Sequence, residues 1–199
     1  MENKEEIKKI KVILVGDSGV GKTNLINTSI GLNFIENNES TNTSSFFNKQ
    51  FIIKDKKYYI NLWDTAGQEK YRNVTKLFFK GAEIVILVYD ISNLETFNSL
   101  EYWYETCENI IDTEHIYGVI GNKIDLFGQE EVNEEKIKEF SQKKKAKFQY
   151  TSAKTEPKSF ERFIEKLIIE YTSVIKDPGR ISHRLENKNP KNDERKKCC

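Results

Sequence analysis

The stretch "GDSGVGKT" at residues 16–23 brings a lysine and a hydroxyl against three glycines, a combination suited to holding phosphate. It fits G-x-x-x-x-G-K-[ST] without a gap, as Gly16, Gly21, Lys22 and Thr23. Glycines let a backbone approach a ligand closely, and their N–H groups can form a concave anion nest at the positive end of the following helix. The expected binding set is Asp17, Ser18, Gly19, Val20, Gly21, Lys22, Thr23 and Asn24, with Lys22 reaching the β- and γ-phosphates and the Thr23 hydroxyl on Mg²⁺. A phosphate loop does not choose between adenine and guanine, since their nucleotides share the same phosphates. At the other end of the chain, Cys198 and Cys199 are adjacent, and with Cys107 they give neither a disulfide framework nor metal-ligand spacing.

The elements that must position this loop follow from hydrophobic period. "IKVILV" at 10–15, "EIVILVYD" at 83–90 and "IYGVIGN" at 116–122 are short and apolar almost without alternation, as in strands covered on both faces. Helical spacing marks 22–30, 94–111, 134–145 and 160–175, the last with Phe160, Phe163, Ile164, Leu167, Ile168 and Tyr171 on one face. Strands and helices alternate, which predicts crossover units and a mainly parallel sheet. "FFNKQFIIKDKKYYINLW" differs: two extended runs around an Asp55-Lys56 turn predict an antiparallel hairpin at a sheet edge.

Length and composition set the outer limits. A chain of 199 residues with 37% hydrophobic content suits one globular domain, here 1–176, followed by a polar, aperiodic tail at 177–199 that breaks at Pro178-Gly179. Lys+Arg 32 against Asp+Glu 31 leaves a formal charge of +1, so no overall field argues for nucleic acid. No apolar run reaches the roughly 18 residues of a membrane span, and "MENKEEIKKIK" lacks the apolar centre of a secretory signal, which predicts a cytoplasmic protein.

Three more motifs stand after the phosphate loop: "WDTAGQE" at 63–69, "GNKID" at 121–125 and "TSAK" at 151–154. In this order and approximate spacing they resemble the small Ras-like GTPases over about residues 8–175, and "NLWDTAGQEKYR", "FFKGA" and "LVYDIS" resemble the Rab branch most. The resemblance implies a P-loop NTPase of the α/β class: a mainly parallel central sheet of about six strands with one antiparallel edge strand and helices on both faces. It also implies GTP and GDP as substrate and product, with Mg²⁺ as cofactor.

The implied roles have separate chemical reasons. The Asp125 carboxylate matches the paired N1–H and 2-amino donors of guanine, which adenine cannot supply. Asn122 would tie the loops together, the Lys123 stem would lie over the ring, and the Ala153 N–H, between Ser152 and Lys154, would meet the guanine oxygen. Phe34, eleven residues after Thr23, would cover the ring's open side. Asp64 would hold Mg²⁺ through a water, the Gly67 N–H would bond the γ-phosphate, and Gln68 would orient the attacking water. Five hydroxyl residues in "NNESTNTSSFF" compete for a second metal position, and spacing selects Thr41. Rab proteins usually continue I-G-V-D-F after that threonine; here the residues read "NTSSF", so the segment that partners read departs from the pattern. Phe46, Trp63 and Phe78 match either an aromatic trio on which Rab partners dock or plain core.

The terminal cysteine pair resembles the Rab double-prenylation signal, and the preceding tail has an excess of basic residues. The resemblance therefore implies a monomeric switch in vesicle traffic, reversibly attached by C-terminal lipid to the cytosolic face of an intracellular membrane. Its partners would be a guanine-nucleotide exchange factor, a GTPase-activating protein, effectors, a prenylation escort and a GDP-dissociation inhibitor, with no nucleic acid. A GTP-binding scaffold with little hydrolysis is the alternative. A kinase or ATPase is a third reading, against which "NKID" argues.

Overall fold

Apolar residues on both faces of three strands force the sheet into the middle of the molecule. The computed structural model describes residues 8–36, 45–65 and 76–176. Strands β1 (Lys8–Val15), β2 (Ser45–Ile53), β3 (Lys56–Asp64), β4 (Ile84–Asp90), β5 (Ile116–Asn122) and β6 (Lys147–Thr151) form one sheet in the order β2-β3-β1-β4-β5-β6. β2 runs antiparallel to β3 and every other pairing is parallel, as the alternation of strands and helices predicted.

Alternate residues of the buried strands serve two cores. Ile10, Val12, Leu14, Ile86 and Val88 pack with α1 (Lys22–Ser29) and with Phe160, Phe163, Ile164 and Leu167 of α5 (Pro157–Lys176). Ile13, Val15, Val85 and Leu87 face the opposite layer, where α2 (Leu94–Asn98), α3 (Leu100–Ile110) and α4 (Glu134–Lys143) contribute Phe97, Leu100, Trp103, Cys107 and Ile137. Helices therefore cover both faces, which leaves the strand ends and the loops beyond them for function.

Several boundaries differ from the sequence expectation, the helix expected over 160–175 among them, which begins at Pro157, and three differences have a clear physical cause. The hairpin turns on Lys54 and Asp55, with φ 49° and 60°, rather than on Asp55-Lys56, and Ile53 lies opposite Lys56. Two positive φ values suit the twist of a two-residue hairpin loop, and this register keeps Phe51, Ile60 and Leu62 buried. The helix expected over 94–111 comes as α2 and α3, abutting at Ser99, with the Asn93 side chain capping the first piece. The helix expected to run to 145 ends at Lys143, because Lys145 turns left-handed at φ 51°.

Candidate functional site

β1 hands over to α1 through the glycine-rich loop, and the backbone there tolerates no side chain at two points. A Cβ on Gly16 would lie 2.2 Å from the Val88 carbonyl oxygen, and one on Gly21 would lie 2.4 Å from Asn122 Nδ2. Gly21 is also the N-cap of α1, so no side chain closes the first turn, and that turn holds no acidic residue. Its N–H groups and helix dipole are thus suited to an anion. Lys22 curls back across the loop, its Nζ donating to the carbonyls of Gly16 at 2.9 Å and Asp17 at 2.7 Å. Burial pushes this ammonium down to about 8, against the raising influence of Asp64 and Asp17. A buried cation whose hydrogen bonds among the described residues go to carbonyl oxygens gains from a phosphate placed beside it.

Asp64, at the C-terminal end of β3, sits 41 residues from Thr23 in sequence and accepts from its hydroxyl, Thr23 Oγ1 to Asp64 Oδ2, at 2.7 Å. Burial raises the carboxyl above the usual range, while the Thr23 bond and the Lys22 charge oppose that. Asp64 Oδ1 is buried with no hydrogen-bond partner among the described residues. A desolvated carboxylate with one open oxygen beside a hydroxyl is a hard-oxygen donor set, which fits Mg²⁺.

The base-reading motifs meet the phosphate loop through one side chain. Asn122 Nδ2 donates to the Val20 carbonyl at 2.9 Å, and its Oδ1 accepts from Thr151 Oγ1 at 3.0 Å. One buried amide therefore joins the loops after β1, β5 and β6. Lys123, left-handed at φ 69°, pairs its Nζ with Asp90 Oδ2 at 2.7 Å. Ser152 Oγ donates to Asp125 Oδ1 and accepts the N–H groups of Lys154 at 3.2 Å and Thr155 at 3.0 Å. Ala153 is buried between them. Phe34 is half-buried against the core beside α1, and the Lys154 Nζ stands 6.0 Å from its ring centroid.

Phe46 and Trp63 lie with ring centroids 5.0 Å apart, and Trp63 and Phe78 5.4 Å apart, so the sequence trio is one cluster. Phe46 is 45% exposed, while Trp63 and Phe78 are partly buried and Trp63 packs against the second core, so the cluster runs from core to surface. Thr41, Gly67, Gln68, Cys198 and Cys199 lie outside the described residues, as does the tail at 177–199. Among the described residues no helix is long and apolar enough to cross a membrane.

Comparison with known proteins decides the family, because the Ras family model matches residues 11–172. The chain belongs to the Ras family. Within that family it is similar to "Ras-related protein Rab-2B" of Dictyostelium discoideum, 36% identical over 180 residues that cover 89% of this chain and 88% of the relative. It is also similar to "Ras-related protein Rab11C" of Nicotiana tabacum, 35% identical over 180 residues, 90% of this chain and 81% of the relative. A third relative is "Ras-related protein Rab-18" of Lymnaea stagnalis, 36% identical over 173 residues, 84% of this chain and 85% of the relative. This Ras-family chain is a Rab-like small GTPase, a GTP-hydrolysing switch of vesicle traffic.

Four residues of the site escaped the sequence reading. Asp90, the partner of Lys123, ends the apolar run of β4, and an acidic residue closing a buried strand is a usable signal. Thr151 precedes "SAK" directly and marks the far end of the Asn122 bridge. Trp103 donates to Asp17 Oδ1 at 2.9 Å, yet on a helical apolar stripe it is indistinguishable from core. Thr65 follows Asp64 and donates from Oγ1 to the Leu14 carbonyl, fastening the end of β3 to β1.

Proposed function

We propose that this Rab-like GTPase binds GTP and GDP with Mg²⁺ at the C-terminal ends of β1, β3, β5 and β6, and cycles between the two nucleotides on a membrane surface. The observation that carries this reading is the Asn122 bridge, which makes the phosphate loop and the two base motifs one hydrogen-bonded unit. Lys22 and the loop backbone hold the phosphates, while Asp125, Ser152 and Ala153 read guanine, and Lys123, Lys154 and Phe34 enclose the ring. Thr23 and Thr41, with Asp64 through a water, would hold the metal, which would supply positive charge against the phosphates. Gly67 donates its N–H to the γ-phosphate, and Gln68 orients the attacking water.

The Phe46–Trp63–Phe78 cluster, exposed at Phe46, is proposed as the face on which effectors dock, alongside an exchange factor and a GTPase-activating protein that act at the nucleotide cleft. Lipids on Cys198 and Cys199 would anchor the chain reversibly to the cytosolic face of an intracellular membrane, with a prenylation escort and a GDP-dissociation inhibitor handling the lipid. One chain alone binds membranes marginally, and a second makes residence long-lived.

The test is direct. Purified protein titrated with GTP, GDP and ATP should bind the guanine nucleotides with Mg²⁺ dependence and reject ATP. Phosphate release should be slow and slower still in Gln68→Leu, with GTP affinity kept. Equal affinity for ATP would overturn the base assignment, and equal release from Gln68→Leu would favour a scaffold that does not depend on hydrolysis.

A further inference from the structure

Asn24 follows Thr23 at the start of α1, but its side chain turns to the loop that carries Phe34 rather than standing free. Asn24 Nδ2 donates to the Ile35 carbonyl at 2.8 Å, and Asn24 Oδ1 accepts the Ile35 N–H at 3.2 Å. Both backbone groups of one residue are thus satisfied by a single amide, in the manner of a strand pairing. Asparagine supplies a donor and an acceptor on one planar group, which neither serine nor alanine does. Asn24 is 8% exposed, so its side of these part-buried bonds is held within the fold, whereas Ile35 is 47% exposed and contributes little burial of its own.

The next residue is held from the opposite side. Glu36 Oε1 meets Lys154 Nζ at 2.8 Å, connecting the Phe34 loop to the loop after β6. Residues 34–36 therefore span the space between the phosphate-loop helix and the base-reading loop, fastened at each side. Segments with few buried apolar contacts open easily, and here the two amide bonds from Asn24 stand against that opening. The surface ion pair adds less, since both partners stay in water.

We infer that Asn24 is a positioning residue whose side-chain amide holds Ile35, and through it Phe34, closed over the nucleotide base, so that this amide sets the lifetime of bound nucleotide. The inference rests on the reading above that Phe34 covers guanine. An exchange factor that lifts the Phe34 loop must then break the Asn24–Ile35 pair as well as displace the metal. Because Asn24 adjoins Thr23 on α1, movement at the metal side of the helix and release at the base side are mechanically linked.

Release of a fluorescent GDP from the full-length chain, chased with excess GDP, tests this in a double-mutant cycle. Asn24→Ala should speed release about tenfold, consistent with losing two part-buried hydrogen bonds, and Glu36→Gln about twofold at most. Asn24→Ser, which keeps a polar residue on α1 but cannot reach both groups, should behave as Asn24→Ala and guards against a folding defect in one variant. The decisive arm is the Phe34→Ala background, where Asn24→Ala should change release less than twofold. Full tenfold acceleration in that background would mean Asn24 acts elsewhere and would overturn the inference. Unchanged release in Phe34→Ala alone would instead overturn the reading that Phe34 covers the base. Hydrogen exchange of the GDP-bound protein gives an independent readout: the Ile35 amide should lose protection in Asn24→Ala, and equal protection in the two proteins would also overturn the inference.

Discussion

Trp103 Nε1 donates to Asp17 Oδ1 at 2.9 Å, tying the phosphate loop to α3 across 86 residues of chain. Asp17 is held twice, since its carbonyl also accepts from Lys22 Nζ at 2.7 Å. The indole thus fixes the Asp17 carboxylate at the start of the loop.

Trp103→Phe keeps an aromatic ring in a position that is 1% exposed and removes the donor. The loss of a hydrogen bond to a charged group, with a small cavity, should cost about 2 kcal/mol of stability in urea unfolding. GDP affinity should fall severalfold, measured by titration. Asp17→Asn retains an acceptor for the indole and should be milder in unfolding than Trp103→Phe. Equal destabilisation by the two would show that the carboxylate charge, not the indole bond, holds the loop.

Gly21→Ala should damage the site more than its size suggests. The residue sits at φ +97°, and the added Cβ would lie 2.4 Å from Asn122 Nδ2, the atom that donates to Val20. Backbone strain of about 1–2 kcal/mol adds to the loss of a buried bond of about 1–3 kcal/mol, so nucleotide affinity should fall by about a hundredfold. Gly31→Ala is the control: at φ +87° with nothing within 4 Å of the new Cβ, it carries strain alone and should leave nucleotide binding unchanged. Comparable loss of GDP binding in both would remove the role given to Asn122.

Most of the fold was legible because its strands carry their burial openly. "ILVYD" and "IYGVIGN" are buried along their whole length, and their shortness and β-branched content favour strands of a sheet covered on both faces over a buried helix. The hairpin turn slipped by one residue because Lys54 and Asp55 are not the Asn-Gly type that announces positive φ. At the site, the motifs named Lys22, Thr23, Asp64, Asn122 and Asp125 because spacing and residue type constrain them tightly. Trp103 and the side-chain role of Asn24 were hidden, since each depends on a loop folding back from a distant or irregular stretch. No periodicity encodes such a contact.

Cys107 should be chemically silent in the folded protein. Its thiol is 0% exposed between α3 and the sheet, and burial, with the neighbouring Glu108 charge, pushes it far above the ordinary thiol range. The reactive thiolate is therefore suppressed at any pH where the fold persists. In a Cys198→Ser/Cys199→Ser variant, a thiol reagent at pH 8 should react only as fast as the chain unfolds, and bound GDP with Mg²⁺ should slow it by stabilising the native state. Rapid stoichiometric labelling of the native protein would contradict the packing described for α3.

Asp125 offers the sharpest test of base recognition. Ser152 Oγ donates to Asp125 Oδ1, which fixes the carboxylate at the end of β5 beside the Ser152–Lys154 turn. Asp125→Asn preserves size, and an amide oxygen has lone pairs enough to accept from Ser152 and from a base N–H together. The other position changes from acceptor to donor. Guanine presents an amino donor there, so GTP loses a charge-assisted bond and meets an unmatched group, at a cost of about 2–4 kcal/mol. Xanthine presents a carbonyl oxygen at the same place and should be bound better by the variant than by the parent. Competition of GTP and XTP for the purified variant measures both effects at once, and retention of parental GTP affinity would place the guanine edge away from Asp125.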